Sequence, residues 1–158
     1  CIIAIPVAVI GFFFITFPTP YFSRDLQKAD PEIYAIFEKL KNDPRIADKE
    51  IRGTKLYVSY CTSIRKVRAY NGRTFWGNVI FLPPAYRNNK TLNITLAHEL
   101  GHLALKTKSE FEADLFALKL VGAGQKERFI RSRRELKRPE EYIKSILTTF
   151  EQESGRNN

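Results

Sequence analysis

Apolar residues dominate one stretch in the middle of the chain. Between Leu92 and Leu105 they cover most of a helix's circumference, which is typical of a helix buried in a core. The polar segment Lys106–Ser109 follows, and a new helical pattern begins at Glu110, with Ser109 suited to cap it. Gly122 ends that second pattern. The sequence therefore predicts two consecutive helices joined by a short turn.

Shorter runs upstream have the composition of β-strands. Lys55–Cys61 is rich in strand formers, and Asn78–Leu82 is a short apolar run stopped by prolines. Between them, Lys66–Tyr70 and Arg73–Trp76 flank Asn71-Gly72, a pair that favours a type I′ hairpin turn. These runs predict a small antiparallel sheet. Asn78–Leu82 is the candidate for an exposed edge that binds an extended substrate by backbone pairing, and a buried core strand is the alternative interpretation.

Helical patterns also precede the sheet and follow the paired helices. Asp30 is suited to cap a helix that starts at the next residue, a proline. The residues expected to form its buried stripe are Ile33, Ile36, Phe37 and Leu40. Two further helices are predicted over 125–136 and 139–150, before a polar tail at 151–158. The pattern indicates an α+β fold, with one compact domain over 23–150.

The N-terminal segment is apolar and uncharged. Cys1–Phe17 contains no charged side chain, and extended to residue 22 the run reaches the roughly 20 residues that cross a bilayer. A cleaved signal segment is the alternative, but a basic start and a small-residue cleavage site are both missing from the sequence. We therefore expect a single-pass transmembrane helix over 1–22 that anchors the protein in a lipid bilayer. Basic residues after this anchor favour the cytoplasmic side for the domain.

The net charge of +9 bears on possible partners. Much of it is concentrated late in the chain, at Arg131, Arg133, Arg134, Lys137 and Arg138. The simplest interpretation is a solvated helix face, and attraction to anionic lipid is the next. Nucleic acid is not an expected partner, because no aromatic-basic motif accompanies the charge. Cys1 and Cys61 do not make a recognisable disulfide framework.

The first of the paired helices carries the residues with the clearest chemistry. His98 and His102 are four residues apart, so on a helix both imidazoles can reach the same metal ion. Glu99 between them is suited to act as a general base. Two ordinary core or surface histidines are the alternative interpretation. Because the helix is predicted to be buried, unpaired polar side chains on it would be costly, and this favours the metal site.

The start of the second helix completes a ligand set. A catalytic zinc usually takes three protein ligands and leaves one position for water. Glu110 and Asp114 share a helix face, so Glu110 can bind the metal while Asp114 accepts a hydrogen bond from a ligand histidine. Glu112 lies on a different face and is expected to be a solvated charge. The sequence predicts one Zn²⁺ ion held by His98, His102 and Glu110.

The motif His-Glu-x-x-His at 98–102, followed by Glu-x-x-Ala-Asp at 110–114, resembles the gluzincin metallopeptidases. Within them it is most similar to the HtpX and CAAX-prenyl-protease type, over about residues 90–124. The resemblance implies a zincin-like domain with zinc ligands at His98, His102 and Glu110, the general base at Glu99, and Asp114 as the hydrogen-bond partner of a ligand. The linker between the two helices is shorter than in many of those relatives. The ImmA/IrrE-like metallopeptidases are the second choice, although they usually have Asn at the position of Asp114.

The expected function is that of a zinc-dependent endopeptidase. It would hydrolyse peptide bonds of a protein or peptide substrate by a metal-activated water, with Glu99 as the general base. A further donor must stabilise the oxyanion, and by composition the candidates are Tyr142, Tyr86 and Arg131. Two alternatives remain open. One is an ImmA/IrrE-like regulatory protease that cleaves one specific partner, and the other is a non-catalytic zinc-stabilised membrane-surface module, which would have no need of Glu99.

Overall fold

A computed structural model of the protein describes residues 23–25, 27, 30–46, 48–59, 70–74 and 77–155. The helices of this part are α1 (Pro31–Lys41), α2 (Lys49–Arg52), α3 (Leu92–Leu105), α4 (Glu110–Val121), α5 (Lys126–Glu135) and α6 (Glu140–Gly155). The strands are β1 (Ser23–Asp25), β2 (Lys55–Ser59), β3 (Tyr70–Thr74) and β4 (Gly77–Leu82), and 3₁₀ turns lie at Pro84–Asn88 and Ala123–Gln125. Helices and a sheet in one chain confirm the predicted α+β class.

The sheet is mixed, so the prediction of an antiparallel sheet is wrong at its centre. The strand order is β1-β2-β4-β3, and the central strands β2 and β4 are parallel, with Leu56 opposite Ile80. The two outer pairs, β1 with β2 and β3 with β4, are antiparallel. Val79–Leu82 is buried, and a continuous apolar run of this kind is typical of a strand with neighbours on both sides.

Two local predictions about this sheet are also wrong. Asn71-Gly72 does not form a hairpin turn but lies inside β3, with Asn71 opposite Ile80, and the connection to β4 comes after Thr74. Gly77, at φ 110°, supplies the unusual backbone conformation at the far end of that connection. Because β4 is paired on both sides, the run Asn78–Leu82 is not an exposed edge, and the alternative of a core strand is the correct one.

The first helix begins as predicted. The Asp30 side chain accepts a hydrogen bond from the Ile33 backbone N–H at 3.4 Å, which confirms the N-cap. Phe37 is fully buried as predicted, but Ile36 is 39% exposed, so the prediction that Ile36 belongs to the buried stripe is wrong. Lys41 is buried instead, and its ammonium group forms an ion pair with the Glu38 carboxylate at 2.5 Å, which offsets the cost of burying the charge.

Helix α3 lies in the centre of the fold. Leu96, Ala97 and Leu100 pack in one cluster with Ile80 and Leu82 of the sheet. Ile94 belongs to a second cluster, in which residues of α4, α5 and α6 meet: Leu118, Phe129, Ile146 and Phe150. The predicted burial of this helix is confirmed, since eight of its residues are buried.

The C-terminal helices lie close to the predicted ranges, and α6 continues to Gly155, past the expected start of the polar tail. The transmembrane helix predicted over 1–22 lies outside the described residues. Within the described ranges, no helix has both the length and the apolar character that a membrane crossing requires.

Candidate metal centre

The turn between α3 and α4 brings the predicted ligands together. Lys106 adopts a left-handed conformation at φ 51°, and the Thr107 N–H bonds back to the His102 carbonyl at 3.2 Å. This is a Schellman-type helix end, which reverses the chain direction. Ser109 then caps α4 by accepting from the Glu112 N–H at 3.3 Å, as predicted. Helix α4 therefore runs back along α3, with its first turn beside the second histidine.

The two helices approach each other closely at a glycine. A Cβ atom placed on Gly101 would lie 3.0 Å from the Ala113 carbonyl oxygen and 3.1 Å from the Ala113 Cα. Few side-chain carbons in proteins come this close to another helix's backbone. The absence of a side chain at Gly101 thus sets the spacing between the helix that carries the histidines and the helix that carries the carboxylates.

His98, His102 and Glu110 form a group that could hold a metal ion, with one ligand atom from each within 4.8 Å of the others. The two imidazole Nε2 atoms are 3.1 Å apart. The Glu110 carboxylate oxygens lie 3.7 Å from Nε2 of His98 and 3.6 Å from Nε2 of His102. Metal–ligand bonds of about 2.1 Å in a tetrahedral zinc site separate neighbouring ligand atoms by about 3.4 Å. The spacing of the three side chains fits such a site.

The hydrogen bonds of the other imidazole nitrogens point to the same arrangement. Nδ1 of His98 lies 2.6 Å from Asp114 Oδ1, and Nδ1 of His102 lies 3.0 Å from the Thr107 carbonyl oxygen. A carbonyl and an ionised carboxylate only accept, so each Nδ1 carries the proton. In neutral rings both Nε2 atoms are then unprotonated, with their lone pairs at a shared position. Two such lone pairs repel unless a cation lies between them.

Asp114 forms the hydrogen bond that was predicted for it, to the candidate ligand His98, and it has two further partners. The carboxylate is completely buried, accepts from the Tyr142 hydroxyl at 2.8 Å and pairs with Arg133 Nη1 at 3.2 Å. Burial alone would raise the pKa of Asp114, but the hydrogen bond from His98 and the charge of Arg133 outweigh it and lower that pKa. Asp114 is therefore ionised and holds His98 in one tautomer.

The pKa values of the two partners of Asp114 respond to the same environment. Burial lowers the pKa of Arg133, which is only 2% exposed, although the adjacent carboxylate opposes this shift. Burial and the Asp114 charge together raise the pKa of Tyr142, so its hydroxyl stays protonated and donates. Nε and Nη2 of Arg133 are buried without a hydrogen-bond partner among the described residues. The pairing with Asp114 is thus the main compensation for a buried cation.

The late basic cluster is only in part the solvated face that composition suggested. Arg131, Arg134 and Lys137 are exposed as expected, but Arg133 is buried against Asp114, and Arg138 donates to the candidate ligand Glu110. Sequence reasoning missed both contacts. The sequence did contain one signal for Arg133, which follows Phe129 by four residues and therefore shares its helix face. In the structure the Arg133 guanidinium lies 5.1 Å from the Phe129 ring.

The other residues named as candidates are the general base, the exposed carboxylate of α4 and the three possible oxyanion donors. Glu99 is buried beside the histidine that precedes it, and Glu112 is exposed, as expected for a surface charge. The Tyr142 hydroxyl is engaged by Asp114, and the Tyr86 hydroxyl donates to Asp30 at 3.0 Å, at the start of α1. Arg131 is solvent-exposed on α5. The hydroxyl groups of both tyrosines predicted as oxyanion donors therefore already donate hydrogen bonds to carboxylates.

Compared with known proteins, the chain matches no protein-family model, and no curated protein and no solved structure is significantly similar to it.

Proposed function

We propose that this protein is a zinc-dependent metallopeptidase of the gluzincin type, as its resemblance to the HtpX and CAAX-prenyl-protease group implies. His98, His102 and Glu110 would hold one zinc ion, and Glu99 would be the general base. The observation that carries the proposal is the pair of Nε2 atoms 3.1 Å apart, each on a ring whose Nδ1 is already anchored. This arrangement creates a position where a cation would be stabilised by both imidazoles.

The composition of the site favours a catalytic over a structural metal. A structural zinc usually has four protein ligands, mostly cysteines and histidines, whereas a catalytic zinc has three and an open position. Among the described residues, the group that could hold a metal has three members, and one of them is a carboxylate. The chemistry that zinc supplies at such a site is Lewis acidity, which polarises a carbonyl group and makes water more acidic.

The protein's own residues supply orientation and proton transfer. Asp114 and the Thr107 carbonyl fix the two imidazoles so that both Nε2 lone pairs converge. Glu99 is 7% exposed and sits next to His98 in the sequence of α3. Its carboxylate would take a proton from the attacking water and pass it to the nitrogen of the departing amine. The water oxygen would bond to the carbonyl carbon first, and the carbon–nitrogen bond would break when the proton reaches the amine nitrogen.

The test compares the wild type with Glu99→Gln in detergent, measuring bound zinc by mass spectrometry and hydrolysis of casein. Glu99→Gln should retain zinc and lose activity by about 10²–10⁴-fold, the usual contribution of a general base. Glu141→Gln is the matched control, because it changes an exposed carboxylate on α6, and it should leave both measurements unchanged. Equal hydrolysis by the wild type and Glu99→Gln would contradict the proposal, and so would a folded wild type that binds no zinc.

A further inference from the structure

Arg138 is the one charged side chain from outside α3 and α4 whose described contacts include a predicted metal ligand. Its Nη2 donates to Glu110 Oε2. Its guanidinium also lies 5.4 Å from the centre of the Tyr142 ring, and the hydroxyl of that ring bonds to Asp114. Arg138 and Tyr142 thus reach both carboxylates of α4 that serve the site.

The backbone holds Arg138 in place. The Lys137 N–H bonds to the Arg134 carbonyl at 2.8 Å, and the Arg138 N–H bonds to the Arg133 carbonyl at 3.0 Å. Lys137 is left-handed, at φ 57°, and Pro139 follows, so α5 ends in a Schellman-type turn. A side chain that starts from a fixed backbone and stacks on a ring loses little further freedom when it binds a carboxylate.

Glu110 is the ligand that most needs such a partner. Its side chain is 47% exposed, whereas those of His98 and His102 are 9% and 12% exposed. Ordering a free glutamate side chain costs conformational entropy, which would otherwise be subtracted from the free energy of metal binding. The bond to Arg138 orders the carboxylate beforehand and leaves Oε1 3.6 Å from His102 Nε2.

The positive charge of Arg138 has the opposite effect, because it repels a metal cation. One observation and one general magnitude favour the ordering effect over this repulsion. Arg138 binds Oε2 and is partly exposed, at 31%, so water screens its charge. Hydrogen-bond partners of metal ligands generally increase metal affinity by about 10–100-fold. The net effect of the arginine should therefore be tighter zinc binding.

We propose that Arg138 is a positioning residue that fixes Glu110 as the third metal ligand, so that the turn between α5 and α6 controls zinc affinity. This inference rests on the proposed zinc site. It assigns a specific role to a residue that the basic composition alone would place in a solvated or lipid-facing patch.

A double-mutant cycle with zinc itself as the probe tests the role. Zinc affinity is measured by competition with a chromophoric chelator for the wild type, Arg138→Met, Glu110→Ala and the double variant. Arg138→Met should weaken binding by about 10–100-fold in the wild-type background. In the Glu110→Ala background the same change should not weaken binding, because the ordering effect is already lost there and only the repulsion between the arginine and the metal remains to be removed. Arg138→Lys should restore part of the loss.

Arg134→Met is the matched control, since Arg134 lies on the same segment but pairs with Glu140 at 2.7 Å. It should leave zinc affinity unchanged, and circular dichroism of each zinc-free variant will report whether it is folded. Wild-type affinity in Arg138→Met would overturn the inference, and so would an equal loss in both backgrounds, which indicates a general structural role. A wild type that binds no zinc would overturn the proposed function as well. The predicted cycle in a protein without hydrolytic activity would support the inference and contradict the proposed function.

Discussion

The contact between α3 and α4 at Gly101 makes a sharp prediction for the variant Gly101→Ala. The new methyl group would lie 3.0 Å from the Ala113 oxygen, 3.1 Å from the Ala113 Cα and 3.1 Å from Phe116 Cδ1. Two of these three atoms belong to the backbone of α4 and cannot rotate away. The helices must therefore separate by a few tenths of an ångström.

Two opposing free energies set the size of the effect. Alanine is favoured over glycine inside a helix by about 1 kcal/mol. Overpacking a close contact costs about 1–3 kcal/mol. We expect Gly101→Ala to lower the free energy of unfolding by up to about 2 kcal/mol. Zinc affinity should fall in addition, because the separation moves Glu110 away from the two histidines.

The assay combines urea denaturation of the zinc-free protein with chelator competition for zinc. Gly124→Ala provides the control, since a Cβ atom there would meet nothing within 4 Å. It should change neither measurement appreciably. A Gly101→Ala protein that is more stable than the wild type and binds zinc equally well would refute the reasoning that this contact sets the geometry of the site.

Two further variants test other parts of the structure. Asp114→Asn should lower the free energy of unfolding, measured by urea denaturation, by about 3–5 kcal/mol, because it leaves the buried Arg133 cation without its counterion. Adding Arg133→Met should recover most of that loss. An unchanged free energy of unfolding in Asp114→Asn would contradict the ion pair. Lys137→Gly should raise the free energy of unfolding by about 1 kcal/mol, because glycine adopts the left-handed conformation at φ 57° without the strain that a side chain causes there. Lys144→Gly, within α6, should have the opposite sign, and equal signs for the two would argue against the turn.

The parts of the fold that depend on local spacing could be predicted from the sequence. His98 and His102 share a face because of helical geometry, and the polar turn with Ser109 as cap determines where α4 begins. The ligand group follows directly from these two helices. The three residues grouped from the sequence are the ones that lie together in the structure and could hold a metal ion.

The parts that depend on distant pairing could not be predicted in the same way. Asn71-Gly72 is a strong turn signal, yet pairing with β4 places it inside a strand. The parallel pairing of β2 with β4 depends on how the intervening chain crosses over, which no local pattern encodes. Arg133 and Arg138 are ordinary basic residues until α5 and α6 dock on α4 and bring them to Asp114 and Glu110.

The short turn Lys106–Ser109 also bears on the order in which the site assembles during folding. All three candidate ligands lie between His98 and Glu110, so bringing them together closes only a short loop and costs little chain entropy. The sheet and the docking of Arg138 require contacts between more distant parts of the chain. We therefore expect the α3–α4 hairpin to capture zinc before the rest of the domain is complete. Zinc would then accelerate refolding relative to chelator, and equal refolding rates under the two conditions would show that the metal enters only a finished protein.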